Sequence, residues 1–193
     1  MTDRKRIIVG ISGASGTIYG IRLLEALKEL DVESHLIMSK TAELTLTYES
    51  DLKPDDVKAL ADEVHSIKNL AACTSSGSYK TLGMVIAPCS IRSMSEIATG
   101  VTSNLLTRSA DVVLKERRKL VLMVRETPLH TGHLKTMTSL SEMGAIIAPP
   151  VPAFYNRPQT LDDLVDHSVG RVLDLFDLDT GKLKRWGEDP RHS

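Results

Sequence analysis

The chain has only two cysteines, Cys73 and Cys89, in 193 residues, too few for a disulfide framework. It also lacks an excess of charge of either sign: 24 Lys and Arg stand against 25 Asp and Glu, a net charge of −1. That balance gives no electrostatic case for nucleic acid or for an acidic membrane surface as partner. Long hydrophobic runs are missing, and no stretch approaches the ~20 apolar residues of a membrane span. The charged start, Thr2-Asp3-Arg4-Lys5-Arg6, leads into an apolar stretch too short for a secretory leader, so the cytoplasm is the expected compartment. Internal repeats and low-complexity segments are absent. The apolar content, 41%, is ordinary. It predicts one globular domain over 1–193, with a polar tail from about 180 to 193.

Within that frame, periodicity carries the first signal. Arg6 to Ile11 reads as a short buried strand, and Ser12-Gly13-Ala14-Ser15-Gly16 breaks it. From Thr17 to Leu30 the period becomes helical, with Leu23, Leu24 and Leu27 on one side and Arg22, Glu25 and Glu29 opposite. Further strands are predicted at Glu33–Met38, Gly83–Ala87, Leu120–Val124 and Ala145–Ala148. Helices are predicted at Thr41–Glu49, from Pro54, from about Met94, and at Asn104–Arg118, His130–Met143 and Thr160–Phe176. Asn69 to Leu82 is polar and reads as a loop or flap. Alternating strands and helices imply α/β architecture: a parallel sheet covered on both faces. Ligands in such sheets lie beyond the carboxyl ends of the strands.

Those ends hold Ser12 to Ser15, Ser39, Cys89 to Ser93, Arg125-Glu126 and Pro152 to Tyr155, a set that suits a polar-headed, oxyanion-bearing ligand. The N-terminus of the first helix is expected to be an anion site. Gly10, Gly13 and Gly16 give GxxGxxG, which fits neither the dinucleotide fingerprint nor the NTPase phosphate loop. The turn is compatible with a ligand-free connection and with a mononucleotide or flavin site using Ser12 and Ser15 as hydroxyl donors. Arg125 suits bidentate phosphate binding. Asn104, Arg108, Asp111 and Lys115 share a helix face, either a solvated stripe or a site. Arg171 falls at the border of a core face, beside Leu164 and Ser168. Asp162-Asp163-Leu164-Val165-Asp166 spells the DDxxD of isoprenoid synthases. A single copy at a helix start, where Thr160 can cap, argues against metal diphosphate binding. His130 and His133 read as a solvated helix start and Cys89 as a packed small residue.

Seven motifs in order, GISGASG, TYESD, APCSIRSMSEIATG, LTRSADVVLKERR, VRETPL, PPVPAFY and KRWGE, resemble those of the UbiX-like flavin prenyltransferases over nearly the whole chain. The resemblance implies a three-layer α/β/α fold, Rossmann-like or flavodoxin-like. It implies transfer of the dimethylallyl group of dimethylallyl monophosphate to reduced FMN, at N5 first and then C6, without a metal. The product serves UbiD-like decarboxylases. The family forms homododecamers with sites between subunits.

Carried over residue by residue, Gly13, Ala14, Ser15, Ser39, Ser90, Ile91, Arg92, Ser93 and Arg125 match flavin-contacting positions. Tyr155 and Arg171 match residues that hold the dimethylallyl phosphate, with Arg108 and Lys115 from a neighbouring subunit. Trp186 matches an aromatic near the prenyl group. Ser15, Glu49, Glu126 and Lys115 match groups implicated in proton handling and phosphate departure. Two alternatives accompany this reading. One is an FMN-dependent cysteine-type or aromatic-acid decarboxylase subunit, although APCSIRS replaces the PASANT motif of the cysteine decarboxylases and PxMNxxMW has no counterpart. The other is a non-catalytic FMN-binding module.

Overall fold

A computed structural model describes residues 4–181 and Leu183. Among them, six strands form one sheet: β1 (Arg6–Ile11), β2 (Glu33–Met38), β3 (Glu63–His65), β4 (Gly83–Cys89), β5 (Lys119–Val124) and β6 (Ile146–Ile147). Seven α-helices accompany them: α1 (Thr17–Glu29), α2 (Lys40–Glu49), α3 (Pro54–Lys58), α4 (Ile91–Ala98), α5 (Leu105–Lys115), α6 (Thr131–Glu142) and α7 (Leu161–Asp174). No described helix is long and apolar enough to cross a membrane.

The sheet order is β3-β2-β1-β4-β5-β6, and every pair is parallel. The chain starts at the centre, builds outward to β3, then crosses back to lay β4 beside β1. The order therefore reverses between β1 and β4, which opens a crevice at their carboxyl ends. Side-chain alternation divides the core in two. Ile7, Val9 and Ile11 of β1 join the cluster with Leu23, Leu24, Leu27, Val169 and Leu173 of α1 and α7. Ile8 joins Met84, Ile86, Met94, Leu106 and Leu140 on the opposite face.

The structure corrects several sequence expectations. It has a sixth strand: β3 is three residues at the sheet edge, with Glu63 and Val64 exposed, so it carries no burial pattern to find. β4 runs on through Pro88 to Cys89, and α4 begins at Ile91, where the Ser90 hydroxyl accepts from Ser93 N at 3.3 Å. α5 ends at Lys115 rather than Arg118, because Arg117 turns into the left-handed region at φ 57°. The acidic string of α7 is structural. Asp163 completes a capping box with Thr160, and Asp162 and Asp166 pair with Arg22 of α1 at 3.0 and 2.7 Å.

Candidate active site

A cavity of about 590 Å³ opens at the carboxyl edge, built from the segments that follow five strands. Gly13 follows β1; Ser39, Lys40 and Thr41 follow β2; Ile67 follows β3. Ser90, Ile91, Arg92, Ser93 and Glu96 follow β4, Asn104 and Leu106 open α5, and Glu126 follows β5. Helices α2 and α4 both begin on it. Ser39 caps the first by accepting from Ala42 N at 3.0 Å, and Ser90 caps the second. Two helix starts therefore bring backbone N–H groups to one cavity. At Gly13 the backbone runs so close to Thr41 that a Cβ would lie 2.4 Å from its methyl carbon, so only glycine fits.

Ser12 is not a ligand donor. It is buried, its hydroxyl donates to Pro88 O at 2.9 Å and accepts from Ser90 N at 2.7 Å, and so it bolts the β1 turn to the β4 turn. The N-terminus of α1 is not open to a ligand phosphate either. The Glu49 carboxylate, from the end of α2, accepts from Gly16 N at 2.9 Å, Thr17 N at 2.9 Å and Thr17 Oγ1 at 2.8 Å. The anion expected at this helix start is supplied by the chain itself. Burial alone would raise the Glu49 pKa. Hydrogen bonds from Ser15, Thr17 and Gly16 outweigh it and hold the carboxyl below its ordinary value.

Arg125 stands next to this turn: its N–H donates to Cys89 O at 3.1 Å and its Nε to Ser15 O at 3.2 Å. Ser15, Glu49 and Arg125 are thus brought together beside the cavity that Glu126 lines. Ala14 lies in the same turn, its N–H donating to Ser12 O at 2.9 Å.

Arg171 lies elsewhere, at a second hollow of about 270 Å³ walled by Met123, Ile146, Ala148, Pro149, Pro150 and Val151. Arg171 pairs with Asp174 at 2.9 Å. Tyr155 places its hydroxyl 2.9 Å from Nε2 of His167, a residue of the same hollow, with the rings at 81°. Burial, then the Arg171 charge, lower the His167 pKa and favour a neutral imidazole. An apolar wall with one guanidinium suits an apolar group carrying an anionic head. The carboxyl end of β5 reaches both spaces, through Met123 to the hollow and through Glu126 to the cavity.

Arg108 and Lys115 do not meet the cavity of their own chain. Arg108 pairs with Asp111 at 2.8 Å and reaches Ser75 O at 3.4 Å; Lys115 pairs with Glu116 at 2.5 Å. Asn104, one end of the same stripe, caps α5 through Thr107 N at 3.1 Å. Trp186 lies outside the described residues. Sequence reasoning missed Lys40, Thr41, Ile67, Glu96, Thr17 and His167. Only tertiary neighbours mark them: Thr17, for one, meets Glu49 from 32 residues away.

Cys89 is fully buried, and burial pushes its thiol up to about 12. Iodoacetamide at pH 8 is expected to leave Cys89 unmodified in the native chain and to label it after unfolding, as read by peptide mass spectrometry. Labelling of Cys89 in the native protein would mean that this packing opens on the reaction timescale. His130 caps α6 through Gly132 N at 3.0 Å and stacks on His133, as a solvated helix start requires.

Comparison with known proteins agrees with this layout. The family model described as Flavoprotein matches residues 1–173. The flavin prenyltransferase UbiX of Thauera aromatica is 57% identical over 181 residues, 94% of this chain and 93% of that protein. A crystal structure of AnUbiX (PadA1) in complex with FMN and dimethylallyl pyrophosphate superposes with a TM-score of 0.95 at 52% identity. It covers 97% of this chain and 100% of its own. A dodecameric FMN-dependent UbiX-like decarboxylase from Escherichia coli superposes with a TM-score of 0.92 at 50% identity, over 94% of this chain and 98% of its own.

Proposed function

The chain belongs to the UbiX-like flavin prenyltransferases, and on that premise we propose that it joins the dimethylallyl group of dimethylallyl monophosphate to N5 and C6 of reduced FMN. The observation that carries this reading is the pair of spaces met by the end of β5. One is a hydroxyl-lined cavity with two helix starts, and the other is an apolar hollow with Arg171.

The residues present fit FMN. The cavity is within the range of about 300–1,000 Å³ usual for small-molecule sites. Its Ser39, Ser90 and Ser93 hydroxyls and Arg92 suit a polar mononucleotide. Bound reduced FMN supplies the nucleophilic nitrogen and carbon that receive the prenyl group. Arg125 and Arg171 neutralise charge developing on the departing phosphate. Lys115 and Arg108, which do not line their own cavity, serve the site of a neighbouring subunit in a homododecamer. The apolar hollow keeps water from the allylic carbon. Ser15 and the ionised Glu49 hold a proton path at the first turn, with Glu126 beside the cavity. The product serves a UbiD-like decarboxylase in the cytoplasm.

The test is anaerobic. Purified protein, reduced FMN and dimethylallyl monophosphate are incubated and the extracted flavin is weighed by mass spectrometry. A gain of one dimethylallyl unit is expected; FMN bound tightly but unchanged would overturn the reading. Arg171→Ala is expected to raise the KM for the phosphate donor about 10- to 100-fold, the loss of one or two charge-assisted hydrogen bonds.

A further inference from the structure

At the β2–β3 edge of the sheet, three side chains converge that the reaction does not use. His35 of β2 is buried, and its Nδ1 lies 2.9 Å from Nε2 of His65, at the end of β3. Cys73 sits in a single 3-10 turn, Cys73–Ser75, of the following loop. The three donor atoms lie within 4.8 Å of one another. The two imidazoles are parallel, 4° apart, and these two nitrogens share a hydrogen bond in the metal-free chain.

The surroundings are those of a ligand set. The other His35 nitrogen, Nε2, is 2.9 Å from Glu33 Oε1. A proton on Nε2 donated to that carboxylate leaves Nδ1 as the acceptor of the hydrogen bond from His65 Nε2, and a metal ion would take the place of that shared proton. This carboxylate–imidazole pairing orients metal-bound histidines. Tyr79 brings its hydroxyl to 3.0 Å from His35 Nε2 and also hydrogen-bonds Cys73. Glu33 is held in turn by Arg6 at 3.2 Å.

We propose that His35, His65 and Cys73 bind a borderline-soft divalent transition metal, zinc(II) by ligand type, as a clip between the sheet edge and the 66–82 loop. Two imidazoles and a thiolate are zinc donors; with bonds of about 2.0–2.1 Å to nitrogen and 2.3 Å to sulfur, tetrahedral donors stand about 3.3–3.6 Å apart, so the nitrogens, 2.9 Å apart, and the thiol, within 4.8 Å of both, need only small side-chain shifts to seat the ion. Binding displaces the Cys73 thiol proton and leaves a fourth position for water. The clip has a mechanical consequence. The loop it fastens accepts Arg108 at Ser75 O, Ser109 at Thr74 Oγ1, and Arg118 at Gly77 O and Tyr79 O. The ion would therefore set the wall against which α5 presents its basic residues. The donors are scattered over two strands and a loop, so no spacing motif marks them.

The experiment is a titration of untagged, chelator-treated full-length protein with cobalt(II). One equivalent is expected to produce an intense near-ultraviolet thiolate-to-cobalt absorption, abolished by zinc(II). Cys73→Ser is expected to remove that band, and Glu33→Gln to weaken binding about 10- to 100-fold. His133→Gln, which disrupts the surface histidine pair, is expected to change neither. Circular dichroism confirms that each variant folds. Absence of the band at one equivalent, its survival in Cys73→Ser, or its loss in His133→Gln would overturn the proposal.

Discussion

Glu49→Gln is expected to lower turnover by about 10²- to 10⁴-fold, the usual range for removing a positioned acid–base group. FMN retention should change little, because Glu49 does not line the cavity. The substitution keeps the shape of the side chain and removes its charge. A carboxylate can accept from Gly16 N, Thr17 N, Thr17 Oγ1 and Ser15 together. An amide presents one oxygen and turns an N–H towards the same donors. Single-turnover assays with pre-bound FMN separate the chemical step from binding. Wild-type turnover in the variant would remove Glu49 from the mechanism.

The same variant has a stability signature with a definite sign. The folded-state pKa of Glu49 is depressed, so its ionised form favours the folded chain. That contribution is complete above the unfolded value, about 4.3 for glutamate. It shrinks as the pH falls below that value and is gone once the pH is below the folded value. At pH 7 the variant should lose about 0.3–1 kcal/mol, the scale of a charge at an exposed helix start. The gap in Tm between wild type and variant should therefore close in acid. A gap that persists unchanged at pH 3 would point to lost packing instead of lost charge.

Gly83→Ala is expected to be the most damaging conservative substitution in the sheet, costing about 2–6 kcal/mol. Gly83 opens β4 at φ 150°, a backbone conformation L side chains rarely adopt, and strain of that kind costs about 1–3 kcal/mol. A Cβ there would also lie 2.1 Å from Lys119 O, on the first rung of the β4–β5 ladder, and 3.0 Å from the Phe176 ring. Overpacking adds about 1–3 kcal/mol, and the obstacle is backbone, which cannot swing aside as a long side chain can. Urea unfolding of the two proteins measures the difference directly. A loss below 1 kcal/mol would show that β4 and β5 part at this rung without cost.

Much of this protein is legible in local pattern. Arg6–Ile11, Glu33–Met38 and Lys119–Val124 are recognisable because each is an apolar run bounded by polar turns. Thr17–Glu29 and Leu161–Asp174 are recognisable because burial on one helix face imposes a 3.6-residue period. Thr160 and Asn104 marked helix starts because a short polar side chain satisfies backbone N–H groups there. β3 escaped because three edge residues that bury little have no pattern to impose.

The sequence by itself determined the parallel α/β architecture, the order of its principal elements and, through seven ordered motifs, the family. Those are properties of residues near one another in the chain. Tertiary structure alone decided which distant residues share a space. The return of β4 to the side of β1 made the crevice, because a crossover can lay a strand beside any open edge. It placed Glu49 on the first helix, where the sequence offered a ligand's anion, and it turned Ser12 from a donor into a bolt. It left Arg108 and Lys115 outside the lining of their own cavity and brought His35, His65 and Cys73 to one point. Hydrogen bonds and ligand sets form between groups that touch, and contact across the chain is fixed by packing, which no local period records.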